Sequence, residues 1–354
     1  MPGISPGAPA TIKRVARLAG VSIKTVSRVI NGASYVSEET RRRVTRAIQR
    51  LNYRPNALAR GLVTGRSRSI GLIIADIVNP FFPPLVRAVE DVAAARGYTV
   101  VLCDTDEDPA REHAAISVLL EKKVDGLVLC ASRVTAGVLR AVADSGVPLA
   151  VVNRTLAHPR AIEIITDGVA GGRLATGHLL GLGHTRIAYL SGPRASFSNR
   201  NRLRGYREAL AARGIGFDPA LVVGGVPSLA AGSEAMAALL DVTPPPTGLF
   251  AFDDLMALGA LEELGRRRLR VPKDMAIVGY DNIDLAGFTH PPLTTVEQPG
   301  VEMGRLAASL LLDLIETGSV PRPRTRTLVP ELIVRLSCGS GRSMPPRRRK
   351  EATT

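Results

Sequence analysis

Apolar positions recur with a helical period through the head of the chain, then change rhythm. Ile12, Val15, Leu18, Val21, Val26, Val29, Ile30, Val44 and Ile48 fall at helical spacing and can close one small core. The stretch TIKRVARLAGVSIKTVSRVINGASYVSEETRRRV reads as three short helices. Each opens on a hydroxyl residue: Thr11, Ser22 and Ser37 stand where a side chain accepts bonds from the orphan N–H groups of a helix start. Gly20 stands at the tight turn between the first two, as a helix-turn-helix requires. After it, LNYRPNALARGLVTGRS places Pro55 in the first turn of a short helix over 56–63. Isolated helices under about 12–15 residues are marginal in water. Gly61 weakens this one by about 1 kcal/mol relative to Ala. The segment is a hinge that folds only when something supports it.

From Ser69 apolar runs alternate with amphipathic stretches. IGLIIAD, TVVLCD, GLVLC, LAVVN, IEIITD, IAYLSGP, GLFAFDD, MAIVGYD, TTVEQ and LIVRLS read as strands. Helices are expected over 85–96, 111–122, 134–145, 169–182 and 203–213. Short β-rich runs separated by helices predict an α/β fold with a doubly wound, parallel sheet covered on both faces. About ten strands is many for one sheet. The pattern therefore predicts two sheets with a cleft between them and a boundary near His158 to Ile162.

Charge sharpens this division. The chain carries +14, and residues 1–66 hold 13 Lys or Arg against only Glu38 and Glu39. The stretch from Gly339 on holds Arg342, Arg347, Arg348, Arg349 and Lys350 against Glu351, so the middle is close to neutral. A neutral body with a basic helical head is the asymmetry expected when only the head meets phosphate. The sequence contains no run of about 18 uncharged apolar residues, so no membrane span is expected. MPGISPGAPA lacks the pattern of a secretory signal and reads as a disordered leader. Cys103, Cys130 and Cys338 are scattered, which fits reduced thiols in a cytoplasmic protein. Neither they nor the five histidines have metal-ligand spacing.

Ligands in open α/β sheets sit at the carboxyl ends of strands. Six of those ends carry polar groups here. They are Asp76 with Asn79, Phe81 and Phe82 following; Asn153 with Arg154; Asp167; Ser196, Ser198 and Arg202; Asp253 with Asp254; and Asp281 with Asn282. Carboxylates and amides accept from hydroxyls, Arg donates, and an aromatic face covers a ring, a mixture suited to a neutral polyhydroxylated ligand. The plain alternative is that Asp and Asn at strand ends are ordinary turn and cap residues. The chain has no G-x-G-x-x-G after the first strand, no G-x-x-x-x-G-K-[ST] and no G-x-S-x-G elbow. With a DNA-binding head attached, this favours a sensor over an enzyme.

The head, the hinge LNYRPNALARGL, and the landmarks NPFF, KVDGLVL, GLGHTRIAYLSGP, LRGY, FDDLMALGAL, LRVPKDMAIVGYDN and PPLTTVEQP resemble the lactose/galactose-repressor family of bacterial transcription factors, in consistent order from Thr11 to Ser337. The resemblance implies a sensor like the periplasmic sugar-binding proteins, with two lobes crossed by three strands. Lobe one would span about 69–161 and 293–322, and lobe two about 162–292 and 323–338. A leader (1–10) and a helix-turn-helix domain (11–53) would precede a hinge (54–68), and a disordered basic tail (339–354) would follow the sensor.

By the same resemblance, Ile23, Lys24 and Arg28 meet base edges in the major groove, with Ser22, Thr25, Ser27, Asn31 and Tyr35 at phosphates or bases. Thr11, Tyr53 and Asn56 complete the DNA set, and Leu62 matches a hinge leucine that wedges into the minor groove. Arg and Lys do favour guanine O6/N7, and Ile a thymine methyl. Asp76, Phe81, Phe82, Asn153, Asp167, Ser196, Ser198, Arg202, Asp253 and Asp281 match effector positions. Purine-sensing members carry an Arg near Ser196 and a Phe near Pro227 that find no match here. Sugar-sensing members commonly carry Asn where Asp253 stands, and an acceptor-only carboxylate suits a hydroxyl-rich or amino ligand. Arg154 and Arg202 would instead pair with Asp253 or Asp281, or bind an acidic sugar. The leucine heptads that make tetramers in one branch are missing. The expectation is a cytoplasmic, nucleoid-associated homodimer without cofactor or metal. It would bind a palindromic duplex operator under control of a sugar-like effector. An α/β enzyme, or a sugar-binding protein, fused to a DNA-binding module is the rival reading.

Overall fold

The structure, a computed structural model, describes residues 10–30, 35–53, 65–130, 133, 135–156 and 158–341. It divides into two compact units, residues 1–67 and 68–354.

In the first unit, α1 (Ile12–Ala19), α2 (Ile23–Ile30) and α3 (Glu38–Arg50) form the expected three helices. Thr11 Oγ1 accepts from the Arg14 N–H at 3.4 Å, Ser22 Oγ from Thr25 at 3.1 Å and Ser37 Oγ from Thr40 at 3.4 Å. Each bond satisfies one orphan donor of a helix start. Gly20 ends α1 at φ +62°, and a Cβ there would lie 2.7 Å from Arg43 Nη2. Val15, Val26, Val29 and Val44 are buried with Ala16, Ala19 and Ala47, while Ile12, Val21, Ile30 and Ile48 pack around them. Leu18 is a correction: it is exposed, because the small Ala19 and Ala16 turn inward on α1 instead.

The second unit runs β1 (Ser69–Ile74), α4 (Phe82–Ala95), β2 (Thr99–Asp104), α5 (Pro109–Glu121), β3 (Gly126–Cys130), α6 (Ala136–Asp144), β4 (Leu149–Val152), β5 (Ala161–Thr166), α7 (Gly168–Gly181), β6 (Ile187–Ser191) and α8 (Phe197–Ala211). It continues with β7 (Val222–Gly224), α9 (Leu229–Leu240), β8 (Gly248–Ala251), α10 (Asp254–Arg266), β9 (Ala276–Asp281), β10 (Thr294–Glu297), α11 (Gly300–Thr317), β11 (Thr325–Leu328) and β12 (Glu331–Ile333). Among the described residues these strands form two six-stranded sheets, ordered β11-β5-β4-β3-β1-β2 and β12-β10-β9-β8-β6-β7. All pairings are parallel except β10 with β12. Side chains alternate across the first sheet. Ile73, Leu127, Leu129 and Val151 pack with Leu119 and Leu139 of α5 and α6, and Leu72, Val128, Ala150 and Val152 with Leu85 and Leu311 of α4 and α11.

Three segments cross between the sheets: β5 to α7, β10 to α11, and β11 to β12. The crossings lie elsewhere than the sequence suggested. The expected boundary at residue 162 cuts into β5, which pairs with β4 in the first sheet, and β11 returns beside β5. β10, assigned to lobe one, pairs with β9 in the second sheet. Hydrogen-bond register, which apolar patterning does not reveal, decides which sheet a strand joins. Helix α8 starts at Phe197, ahead of the expected Leu203, and a Cβ on its Gly205 would lie 2.1 Å from the Val169 carbonyl oxygen of α7. That close crossing seats the two N-caps, Asp167 and Ser196, that begin these helices. No described helix is long and apolar enough to cross a membrane.

Candidate functional site

The first unit presents α2 outward at its N-terminal end. Val26 and Val29 are buried, so the helical period leaves Ile23 (45% exposed) and Lys24 on the surface. Ser22 and Thr25 join through their hydroxyls at 2.9 Å, which ties both to the start of α2. Ser27 is half-buried beside Arg28, whose guanidinium lies 5.0 Å from the Tyr35 ring centre. That ring is 72% exposed, so the pair forms a cationic, aromatic edge at the end of α2. Thr11 caps α1, and Tyr53 packs against the helical core. Asn31, Asn56 and Leu62 lie outside the described residues.

Between the two sheets of the second unit, strand ends converge on a cleft holding about 480 Å³ of space outside the atoms, open to solvent. Eight of the expected residues line it: Phe81, Phe82, Asn153, Ser196, Ser198, Arg202, Asp253 and Asp281. Two expected residues do not. Asp76 accepts from the Val78 N–H at 2.7 Å and so closes a turn, and Asp167 caps α7 through the Ala170 N–H at 2.9 Å. Turn and cap bonds are what strand-end Asp commonly makes, and Asp253 and Ser196 make such bonds while lining the cleft. The cleft also takes in Glu107, Arg133, Phe252 and Gln298, which the sequence reading missed. Glu107, Arg133 and Gln298 follow β2, β3 and β10, so the strand-end rule applied to every strand would have found them.

Arg202, on α8, is 3% exposed and is the hub of the wall. One terminal nitrogen donates to the Phe252 carbonyl, and the other lies 3.5 Å from Asp281 Oδ1. Its plane rests 3.6 Å from the Tyr280 ring centre and 4.5 Å from that of Phe252. Arg202 therefore pairs with Asp281, settling one choice the sequence left open. Arg154 does not line the cleft; it feels Glu112 and Arg200. Gln298, on the β10–α11 crossing, donates to Asp281 Oδ1 at 2.6 Å and accepts from Asn153 Nδ2 at 3.3 Å. One amide thus joins the end of β4 in one lobe to the end of β9 in the other. A second link is longer, Asn79 Nδ2 to Asp253 Oδ2 at 3.5 Å.

Asp253 caps α10, accepting from the Met256 N–H at 2.8 Å. Burial pushes its carboxyl up to about 6, against the opposing pull of that bond and of Arg202. Burial also raises Asp281 well above the ordinary carboxylate range, and Asp253 adds repulsion. Asp254 beside them is raised to about 7 by burial although Thr295 Oγ1 (2.6 Å) and the Ile283 N–H (2.9 Å) both donate to it. The backbone is unusual at the same places: φ is +55° at Asn153, +107° at Asp281 and +56° at Asn282. Left-handed conformations in non-glycine residues cluster at ligand clamps and persist where the surroundings enforce them.

Two lobes closing on a polar, aromatic cleft define a small-molecule binding protein, and the basic helix-turn-helix at its head makes it a DNA-binding one. Residues 11–56 match the family described as bacterial regulatory proteins, lacI family, and residues 176–338 match the periplasmic binding protein-like domain. The HTH-type transcriptional repressor PurR of Aliivibrio fischeri (strain MJ11) is 37% identical over 331 residues, covering 93% of this chain and 98% of that protein. A transcriptional regulator CelR–cellobiose complex is 36% identical with a TM-score of 0.71, covering 93% of this chain and 99% of that one. The Lac repressor dimer bound to operator and the anti-inducer ONPF has a TM-score of 0.83 at 32% identity, covering 94% and 99%. The chain belongs to the LacI family of bacterial transcriptional regulators.

Proposed function

We propose that the protein is a cytoplasmic, dimeric repressor whose affinity for a palindromic duplex operator is set by a sugar bound between the sensor lobes. The α2 face carries operator recognition. Ile23, Lys24 and Arg28 read bases, and Ser22, Thr25, Ser27, Tyr35 and Thr11 hold phosphates. The similarity to an operator-bound dimer supports both the DNA and the dimer. The similarity to a cellobiose complex supports the ligand class, as does the mixture of carboxylate, amide, guanidinium and aromatic groups in the cleft.

The observation that carries the reading is the Asn153–Gln298–Asp281 chain, which joins the lobes across the cleft floor. A ligand that competes for these amide and carboxylate groups changes what holds the lobes together. The change passes through residues 54–68 to the DNA-binding heads. Coupling of this kind is reciprocal: the factor by which ligand alters operator affinity is the factor by which operator alters ligand affinity, ordinarily about 1–3 kcal/mol. The test is a thermal-shift screen of monosaccharides and disaccharides on the full chain, followed by operator titrations with and without each hit. A hit that raises the melting temperature and alters operator affinity supports the proposal. Hits that leave operator affinity untouched, or no preference for any palindromic duplex over random duplex, overturn it.

A further inference from the structure

The cleft carries more negative charge than its own side chains neutralise. Its charged lining is three carboxylates (Glu107, Asp253 and Asp281) and two guanidinium groups (Arg133 and Arg202). Glu107 and Arg133 form an ion pair with each other. That leaves Asp253 (2% exposed) and Asp281 (8% exposed) to share Arg202. Arg202 is already engaged by the Phe252 carbonyl, two aromatic rings and Asp281 itself. Among the described residues Asp253 has one close donor, the Met256 N–H at 2.8 Å on one oxygen. Its other oxygen meets the Asn79 amide at 3.5 Å, at the outer limit of a hydrogen bond. Asp76 and Asp254 add further negative field at Asp253 and Asp281 respectively.

A buried, unmatched carboxylate is costly unless a proton or a cation joins it. A neutral sugar supplies hydroxyl donors but no charge. We infer that the Asp253 wall selects a hydroxylated ligand bearing an ammonium group, an amino sugar being the simplest such molecule, over its neutral counterpart. The ammonium donates up to three bonds, which suits the weakly partnered Asp253 oxygen, and cancels the surplus charge. This rests on the sugar-effector reading above and narrows it.

The test is isothermal titration of the full chain at pH 7 with matched pairs: glucosamine and glucose, galactosamine and galactose, mannosamine and mannose. At least one amine should bind tenfold or more tightly than its neutral partner. Asp253→Asn should bring that ratio close to one while keeping the fold, because Asn caps a helix about as well as Asp. The wild-type ratio should also fall towards one as the pH is taken below about 5 and the carboxylates protonate, a measurement that needs no variant. Neutral sugars binding as tightly as their amines at pH 7, or a ratio untouched by Asp253→Asn, overturn the inference and leave the sugar effector standing. Failure of all six sugars to bind overturns the inference, while a disaccharide that binds and alters operator affinity keeps the sugar-effector reading.

Discussion

Ser22, Ile23, Lys24, Thr25 and Arg28 lie on one short helix and its cap, whereas Phe81, Asn153, Arg202, Asp253, Asp281 and Gln298 reach the cleft from separate elements of two sheets. The first set is placed by local rules, namely helical period, a capping hydroxyl and a glycine turn. The second is placed by sheet register and by the crossings that bring the two sheets together. The difference teaches where each site is vulnerable. A substitution on the reader should act on one contact. A substitution in the cleft should act on a network, because Arg202, Asp281, Gln298 and Asn153 hold one another.

Arg202→Ala is expected to have the largest effect. It leaves Asp281 and Asp253 buried without their cation, and stripping one partner from a buried pair costs about 3–5 kcal/mol. Calorimetry should show the second unit melting much earlier, with the ligand response lost. An unchanged melting profile would mean that the cleft is no more networked than the reader.

The next effect is a pH dependence. The folded-state carboxyl of Asp253 is raised from 3.8 to about 6, so the folded chain holds that proton more tightly than the unfolded one. Its contribution to stability is therefore greatest below the unfolded value and is lost as pH rises through the window from about 4 to about 6. At about 1.4 kcal/mol per unit, the loss is on the order of 3 kcal/mol. The stability of Asp253→Asn minus that of wild type should accordingly grow across that window. A difference that stays flat would remove the electrostatic basis for the cleft's selectivity.

On the reader, Arg28→Ala should relax preference at one operator position at a cost of about 1–3 kcal/mol in binding, with other positions unchanged. A uniform loss across sequences, measured by competition with single-base operator variants, would reassign Arg28 to phosphate. Ser22→Ala should have the smallest effect, about 1 kcal/mol of stability from the lost cap, seen as a modest drop in the melting of the first unit. An effect as large as that of Arg202→Ala would mean that the reader too is a network.

Legibility follows the same line. The three caps and Gly20 were readable because each acts within four residues of itself. The strands buried on both faces, such as β3 and β4, were readable as unbroken apolar runs. β7 and β11 were not, because edge strands of three or four half-exposed residues carry no such run. Asp76 and Asp167 stand at strand ends like the cleft residues, but only the tertiary structure showed that they close a turn and cap α7 outside the cleft lining.

The amino-acid sequence alone determined the basic three-helix head, the alternating strands and helices of the body, and a strand-end inventory that held most of the cleft. These follow from periodicity, capping chemistry and charge, which act over a few residues. Tertiary structure alone decided which sheet takes β5, β10 and β11, that Gln298 joins Asn153 to Asp281, and that Arg202 pairs with Asp281. Those outcomes depend on pairing and burial between segments far apart in the chain. Burial is what turns two ordinary aspartates into a charge imbalance that a ligand can answer.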